Sequence, residues 1–384
     1  MNIWPHSLRK LVTRAHGSHY LLLTLISFAS TVILTRMFLI LTGYPQVGNR
    51  ELHIAHVLWG GLLLFISAAV LLSFSNHAIY RLGAVGTGIG AGLFMDEVGK
   101  FITATNNYFY PLAFPLIYGF FLLVVLAYLE ERRYQPRDAR TELYNAFDTL
   151  QEVLDNDLEP LEREALMKRL TLVMQQGERP DLAALAQVLL KFLESDTLKL
   201  VEKQDPFWKP WKDKWYAFEA QWLTPLRYRV ILVGGLLLTG LSTSIDSLQT
   251  LLVILTPGAA HQVLIDKLTV EKVITSPNEL GWFTALLAMV GFLNLALLLG
   301  AGFLIFGRER PAIRIVYFSL LIALTGVDLL VFYFNQFAAV LDVFVQSGLL
   351  LLAARYRQRF LRPSHEMAPV VDPQTFSLPN SGLL

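Results

Sequence analysis

The sequence predicts an all-α polytopic membrane protein of about eight transmembrane helices, with a cytoplasmic helical insert between helices four and five. Of the 384 residues, 54% are hydrophobic and 16% are charged, whereas a soluble domain carries about 25% charged residues. The hydrophobic residues form runs of about 20, which is the length that crosses roughly 30 Å of hydrocarbon as an α-helix. One polar segment in the middle of the chain interrupts these runs, and its apolar residues recur at helical spacing.

Eight apolar runs are long enough to cross a membrane. They cover approximately 20–43, 53–75, 79–104, 110–130, 229–250, 281–306, 311–333 and 335–354. The third is the weakest, because glycines dilute it and Asp96, Glu97 and Lys100 interrupt it. The fifth is followed by a polar stretch at 242–249 and a second apolar run at 251–255, so we expect a broken helix with a re-entrant or surface segment.

Lysine and arginine in the connections predict the orientation, because cytoplasmic loops collect these residues. With the N-terminus inside, the inner side holds eleven of them and the outer loops hold only Arg50, Lys267 and Lys272. The eleven are Arg9, Lys10, Arg14, Arg81, Arg308, Arg310, Arg314, Arg355, Arg357, Arg359 and Arg362. Both termini are therefore expected in the cytoplasm. The predicted parts are an N-terminus (1–19), a first membrane half (20–133), the insert (134–228), a second membrane half (229–356) and a tail (357–384).

The insert is acidic and periodic. Nineteen of the 31 Asp and Glu residues fall between positions 130 and 229. Two stripes at helical spacing predict a small helical bundle: Leu143, Phe147, Leu150 and Leu154, then Leu182, Leu185, Leu189 and Phe192. Breaks between helices are expected at 156–160 and 177–180, where Asn, Gly and Pro occur.

The end of the insert is rich in tryptophan. On a helix its aromatic residues fall within an arc of about 80°, and lysines lie beside them. These aromatic residues are Trp208, Trp211, Trp215, Phe218 and Trp222. Indole rings favour the headgroup layer and lysine meets anionic lipid there, so we expect a helix lying at the membrane interface. The alternative is that the stripe packs on the helical bundle.

Seven ionisable residues lie inside the predicted spans, where each charge costs at least about 2.5–3.5 kcal/mol. They are Arg36, Asp96, Glu97, Lys100, Asp246, Asp328 and Asp342. The predicted topology places all of them in the outer halves of their helices, five at a depth of roughly 6–12 Å. His53 and His56 lie just above, and a turn containing Asn106 and Asn107 covers the same region. The sequence thus predicts a polar pocket open to the outer face.

Acids outnumber bases in this predicted pocket. Five carboxylates face two permanent cations, Arg36 and Lys100. A low-dielectric site does not hold the excess negative charge bare, so protons, protonated histidines, a bound cation or water must compensate. The simpler alternative is a local pair of Lys100 with Asp96 or Glu97 along one helix.

The two histidines suggest a metal site. His53 and His56 are one helical turn apart, and with Asp96 or Glu97 they provide three ligands for Zn²⁺ or a similar divalent ion. The motif lacks the glutamate of the metalloprotease HExxH, and the alternative is a polar rim of interfacial histidines. Beyond such an ion, the sequence leaves the cofactor open.

Glycines in the third span recur at spacing of four. The pairs are Gly86 with Gly90 and Gly88 with Gly92. They lie within a predicted membrane helix and follow no strand, so they do not indicate a dinucleotide loop. We expect them to let a neighbouring helix approach closely.

Spans two to four carry a recognisable pattern: HIAHVLWG at 53–60, MDEVGKFIT at 95–103 and NNYFY at 106–110. It resembles a pattern in a family of bacterial polytopic membrane proteins to which no activity is attached. The resemblance implies a cell (inner) membrane location.

These features favour a transporter or permease whose outer pocket binds a cation or a proton coupled to a solute or lipid. One alternative is a membrane-embedded hydrolase or transferase, in which histidines and a carboxylate hold a metal ion while Glu97 or Asp96 activates water. Another is a sensor or assembly factor, whose insert binds a cytoplasmic protein through 138–205. The lipid bilayer is the expected partner, and the net charge of +1 makes nucleic acid an unexpected one.

Overall fold

The computed structural model of the chain describes residues 12–43, 55–108, 110–133, 138–176, 179–195, 198–201, 209–270, 273–274, 277–335 and 338–361. In these stretches the regular elements are α-helices and two π-helical turns, and no β-strand occurs. The predicted all-helical fold class is confirmed. Two compact units divide the chain, Met1–Lys209 and Pro210–Leu384.

Eight helical segments within the described residues are long and apolar enough to cross a membrane, by length and composition. They are Gly17–Thr42, His56–Ser73, His77–Asp96, Ala113–Glu131, Pro225–Leu255, Asn278–Ile305, Glu309–Phe334 and Ala339–Leu361. Each predicted run overlaps one of these segments. The helices therefore support a multi-pass membrane fold.

The first unit contains the first four of these segments. The helices are α1 (Gly17–Thr42), α2 (His56–Ser73), α3 (His77–Asp96), the short α4 (Val98–Ile102) and α5 (Ala113–Glu131). Helix α3 packs against both α1 and α2, and α5 packs against α1. Phe28, Ala91 and Ile117 share a buried apolar cluster that joins α1, α3 and α5.

Glycines explain how α3 contacts two helices at once. A Cβ on Gly90 would lie 2.9 Å from the backbone oxygen of Gly60 in α2, and a Cβ on Gly92 would lie 3.1 Å from the backbone oxygen of Phe28 in α1. Gly86 likewise faces Ser67 of α2. The pair Gly86 and Gly90 thus admits α2, and the pair with Gly92 admits α1, which confirms the close approach expected from the spacing.

The third predicted span, 79–104, is wrong at its C-terminal end. Helix α3 ends at Asp96, and Glu97 separates it from α4 with φ −93° and ψ 7°. Beyond α4 the chain folds back, because Gly99 leaves room for the backbone oxygens of Asn107 and Tyr108, which lie 2.9 and 2.8 Å from its ideal Cβ position. The acidic pair therefore stands at a helix break rather than inside a continuous helix.

Three helices of the insert form a bundle with its own core. They are α6 (Ala139–Leu154), α7 (Pro160–Gln175) and α8 (Pro180–Leu193). Asp138 caps α6 by accepting a hydrogen bond from the Thr141 amide, and Glu159 and Glu162 form a capping box at α7. The predicted breaks at 156–160 and 177–180 coincide with the gaps between these helices.

The predicted buried residues of the insert are only partly confirmed. Leu143, Leu150, Leu182 and Leu189 belong to the core or pack against it, but Phe147, Leu154, Leu185 and Phe192 are exposed. Ala146, Ala186 and Leu193 take the buried places instead. The buried faces of α6 and α8 are thus rotated away from the predicted stripes, toward Ala146, Ala186 and Leu193.

The second unit contains the remaining helices: α9 (Lys209–Trp222), α10 (Pro225–Leu255), α11 (Ala259–Val270), α12 (Pro277–Ile305), α13 (Glu309–Ile322), α14 (Asp328–Phe334) and α15 (Ala338–Tyr356). Helix α10 packs along α12, and α13 packs on α12 and α15. Leu232, Leu304, Val316 and Ala353 are buried in their shared core. A π-helical turn, Ala323–Val327, joins α13 to α14.

The expected break in the fifth span is wrong, since α10 continues through 242–255 as a single helix. Its polar stretch is compatible with a helix because the hydroxyls donate back to carbonyls one turn earlier. Ser242 donates to the Leu238 oxygen at 2.7 Å, and Thr243 donates to the Thr239 oxygen at 2.6 Å. Asn294 of α12 also donates to the Thr243 hydroxyl at 2.6 Å.

The tryptophan-rich helix α9 is held within the second unit. Its buried residue is Glu219, which forms two hydrogen bonds of 2.8 and 2.9 Å with the Arg355 guanidinium and accepts one of 2.8 Å from the Tyr228 hydroxyl. Trp211, Trp215, Phe218 and Trp222 are exposed, and Trp208 lies outside the described residues. Helix α9 is therefore attached through Glu219, and its aromatic side chains remain exposed.

Candidate functional site

A cluster of charged residues lies where α1 ends, α2 begins and α3 breaks. Asp96 is fully buried and Glu97 is 1% exposed, while the side chains of His56 and Lys100 are 24% exposed. The residues come together because α1 and α3 point their C-terminal ends toward the N-terminal end of α2. Five of the residues predicted for the polar pocket are thus neighbours in the first unit: Arg36, His56, Asp96, Glu97 and Lys100.

His56 lies between the two acids. Its Nε2 is 3.0 Å from Oδ2 of Asp96, and its Nδ1 is 3.1 Å from Oε1 of Glu97. A neutral imidazole carries one N–H, so it donates to one of these oxygens and presents a lone pair to the other. Both contacts are favourable only if a further proton is present, on the imidazole or on one of the carboxyl groups.

Arg36 forms a buried ion pair with Asp96. Its Nε donates to Oδ1 of Asp96, and its Nη2 donates to the backbone oxygen of the same residue at 3.0 Å. The guanidinium carbon lies 4.4 Å from the ring centre of Tyr108 and 4.3 Å from that of Phe114. Two aromatic faces and a carboxylate therefore stabilise a buried charge that would otherwise be costly in the membrane.

Lys100 forms an ion pair with Glu97. Its Nζ donates to Oε1 of Glu97 at 2.8 Å, three residues apart on the same turn of chain. This is the local pair that the sequence offered as the simpler alternative for Lys100. With Arg36 and Lys100 against Asp96 and Glu97, the fixed charges of the cluster sum to zero.

The turn after α4 supplies a residue that sequence reasoning missed. The Tyr108 hydroxyl donates to Oδ2 of Asp96 at 2.7 Å, so this oxygen contacts both the Tyr108 hydroxyl and Nε2 of His56. Asn106 adopts a left-handed φ of 51°, and the Asn107 amide donates to the Thr103 hydroxyl at 2.8 Å. Both asparagines are exposed and shape the turn rather than contact Asp96. The aromatic residue next to them was the available signal.

The second predicted histidine, His53, lies outside the described residues. The three described members of the predicted metal set, His56, Asp96 and Glu97, do not converge on one point in the way that a three-ligand site requires, because the acids lie at opposite nitrogens of the ring. A metal ion at this position stays a prediction.

The other predicted acids belong to the second unit. Asp328 is 2% exposed at the end of the π-helical turn, and Gln346 of α15 donates to its Oδ1 at 3.3 Å. Asp342 is half-buried one turn before Gln346 on the same helix, and Asp246 is exposed on α10. Among the described residues, no donor reaches the buried Oδ2 of Asp328. This acid therefore has a polar neighbour but no described cation beside it.

Comparison with known proteins gave no match: no protein-family model, no curated protein and no solved structure matches the chain. The function is accordingly argued from the geometry of the cluster.

Proposed function

We propose that the chain is a proton-coupled transporter or permease of the inner membrane, in which His56, Asp96 and Glu97 bind and release one proton. The observation that supports this most strongly is the imidazole of His56 between two carboxylates, with N–O distances of 3.0 and 3.1 Å. Intramembrane Asp, Glu and His residues in contact are the usual components of proton pathways.

The same contact favours a proton over a metal ion. An imidazole binds a metal through a nitrogen lone pair, and both nitrogens of His56 already face carboxylate oxygens. A metal-dependent hydrolase or transferase would require His56 to turn away from at least one acid. In the described arrangement the proton needs no such change.

The burial of the cluster suggests a direction for the proton. His56 and Lys100 are partly exposed at the rim, whereas Asp96 is fully buried behind them. A proton that enters at His56 therefore reaches Asp96 through one hydrogen bond. Loss of the proton leaves His56 with a lone pair against one carboxylate, which weakens the contact between α2 and the break at Glu97.

This change in contact is our proposed coupling step. The break between α3 and α4 gives the chain a place to move without breaking a continuous helix, and the release of His56 would alter how α2 packs there. We place the cluster on the outer face, with both termini in the cytoplasm, because the basic residues of the connections favour that orientation.

The test is transport by the purified protein in liposomes that contain a pH-sensitive dye. Candidate ionic, polar and lipidic solutes are added one at a time, and we expect one of them to change the internal pH with the wild-type protein. Asp96→Asn and His56→Gln should abolish this signal. Asp213→Asn, which changes an exposed acid of α9, should keep it.

Two results would contradict the proposal. One is a solute flux of the wild-type protein that is independent of pH. The other is an unchanged pH-dependent flux in both Asp96→Asn and His56→Gln.

A further inference from the structure

A second group of potential ligands lies at the opposite end of α3. His16 directly precedes α1, His77 is the first residue of α3, and Glu152 lies near the end of α6. One ligand atom from each lies within 4.8 Å of the other two, and within the described residues this is the group of three that meets that distance. His77 and Asp96 are separated by roughly 28 Å along the helix, at 1.5 Å per residue, so the group is independent of the proton site.

The ring of His77 is oriented as a metal ligand commonly is. Its Nε2 lies 3.0 Å from the backbone oxygen of Asp148 in α6, which can only accept, so Nε2 carries the hydrogen. In the neutral ring Nδ1 then has the lone pair, and the hydroxyl of Tyr20 is hydrogen-bonded to it at 3.3 Å, so a bound ion would replace this neutral donor. A metal-binding histidine typically donates its second N–H to a carbonyl or carboxylate, which fixes the ring and its tautomer.

The three segments meet in a setting that suits a cation. The imidazoles of His16 and His77 contact each other edge to face, with ring centres 5.8 Å apart. Burial, a hydrogen bond with Glu162 and the nearby Asp157 and Asp148 raise the pKa of Glu152 to about 8, so a bound cation would replace the proton of this carboxyl group.

Beside the group is a cavity of about 110 Å³, lined by His16, Glu152, Glu162 and Arg169 among others. Arg169 is the nearby cation, and it is paired with Glu142 at 3.3 Å. The cavity leaves room for water beside a bound ion.

We propose that His16, His77 and Glu152 form a binding site for a divalent transition-metal ion of the Zn²⁺ class. Two imidazole nitrogens and one carboxylate oxygen, with water in the remaining position, are a ligand set that Zn²⁺ accepts. The site goes beyond the proposed transport function and does not depend on it. A bound ion would join the segment before α1, the start of α3 and helix α6, and would thus attach the bundle to the membrane helices.

The test is Zn²⁺ binding by the full-length protein in detergent after removal of metal with a chelator. Equilibrium dialysis should give one tightly bound Zn²⁺ per chain for the wild type. His77→Ala and Glu152→Gln should each weaken binding by at least about tenfold, since loss of an outer-shell partner alone costs 10–100-fold. His19→Ala is the matched control, because His19 is exposed three residues after His16 and lies outside the group.

A folding control keeps the result interpretable. Glu152→Gln preserves side-chain size, so it should keep the elution volume and the Tm of the metal-free wild type. Zn²⁺ should raise the Tm of the wild type and of His19→Ala, but not that of Glu152→Gln. In the wild type Zn²⁺ should also protect two histidines from carbethoxylation by diethylpyrocarbonate.

The proposal is overturned if the wild type binds no stoichiometric Zn²⁺, or if both variants bind it as tightly as the wild type. Loss of Zn²⁺ in His56→Gln alone would assign the ion to the other end of α3 and would equally overturn it. Neither result bears on proton-coupled flux, which is measured separately.

Discussion

The single residue that best shows how the charged cluster is built is Tyr108. Its ring covers the Arg36 guanidinium and its hydroxyl donates to Asp96 at 2.7 Å, so one side chain contacts both members of a buried ion pair. It lies in a loop between two predicted spans, and its aromatic side chain beside Asn106 and Asn107 is the one sequence signal that marks it. The contact arises because the chain folds back over Gly99.

Substitution of Tyr108 by Phe separates these two roles. The ring stays over Arg36, but the buried carboxylate loses one donor, so we expect the free energy of unfolding to fall by about 1–3 kcal/mol. Chemical denaturation of the protein in detergent measures this loss. Tyr144→Phe is the control, because that hydroxyl belongs to an exposed side chain of α6, and it should change stability by less than about 0.5 kcal/mol. Equal stability of Tyr108→Phe and the wild type would show that the hydrogen bond to Asp96 is not made.

Only the ionisable residues of the site could be predicted from the sequence, because burying a charge in a membrane costs free energy. Arg36, Asp96, Glu97 and Lys100 stand out because charge is rare in such helices. Phe114 carries no such signal, since it is one apolar residue among many in its span, yet its ring lies 4.3 Å from the Arg36 guanidinium. Contacts of this kind depend on tertiary structure, which spacing along one helix does not specify.

Among the helices, one close contact is the crossing of α2 and α3. Gly60 lies at this crossing, where an added Cβ would be 2.7 Å from the Phe94 amide nitrogen and 2.8 Å from the Gly90 oxygen. Its neighbour Gly61 has no atom within 4 Å of the same position. The two adjacent glycines thus provide a matched comparison.

We expect Gly60→Ala to destabilise the protein by about 1–3 kcal/mol, because the backbones of α2 and α3 must separate. Gly61→Ala should be neutral or stabilising by up to about 1 kcal/mol, since alanine restricts the unfolded chain. Denaturation curves of both variants in the same detergent decide the matter. Similar curves for the two variants would contradict the close crossing.

Helix α9 is attached through one carboxylate, so its attachment should depend on pH. Hydrogen bonds from Arg355 and Tyr228, with the charge of Arg359 nearby, lower the pKa of Glu219 to about 2. In the unfolded chain its pKa is about 4.3. Between these two pKa values Glu219 stays charged in the folded state but takes up a proton in the unfolded state. Its contribution to the stability of the folded protein is therefore fully present above about pH 4.3 and is lost as the pH falls toward 2.

Tryptophan fluorescence reports this attachment, because three exposed tryptophans lie on α9. In lipid vesicles the emission of the wild type should stay constant from pH 7 to about 4.5 and change only as pH approaches 2. Glu219→Gln should give altered emission already at pH 7, whereas Glu194→Gln, an exposed acid at the end of α8, should match the wild type. Wild-type emission that already changes fully near pH 4.3 would contradict the strong pairing of Glu219.

Helices were predictable from the sequence where apolar length decides, and their ends and breaks were not. The eight apolar runs and the glycine spacing of α3 correspond to real elements. The polar stretch 242–249 suggested a break that does not exist, because its hydroxyls bond within the helix. Conversely, the break at Glu97 lies inside an apolar run and was not predicted. Contacts of Glu97 with His56 and Lys100, together with the folded-back turn, stabilise the chain where the helix is interrupted.

At the scale of the molecule, the predicted charge excess depends on which acids share a site. The prediction counted five acids against two cations. Within the first unit alone, two acids face two permanent cations and one histidine. Asp246, Asp328 and Asp342 belong to the second unit, where Gln346 rather than a described cation is hydrogen-bonded to Asp328. A sequence shows which residues are charged, whereas their division between compact units is set by long-range packing.

Infrared difference spectroscopy can detect the one exchangeable proton that we propose His56, Asp96 and Glu97 share. Spectra of the protein in lipid are recorded between about pH 5 and 8, the range in which histidine commonly titrates. We expect imidazole and carboxyl bands that change together, that disappear in His56→Gln and that persist in His19→Gln. Bands that are unchanged in His56→Gln would contradict it, because the proton would then belong to other groups.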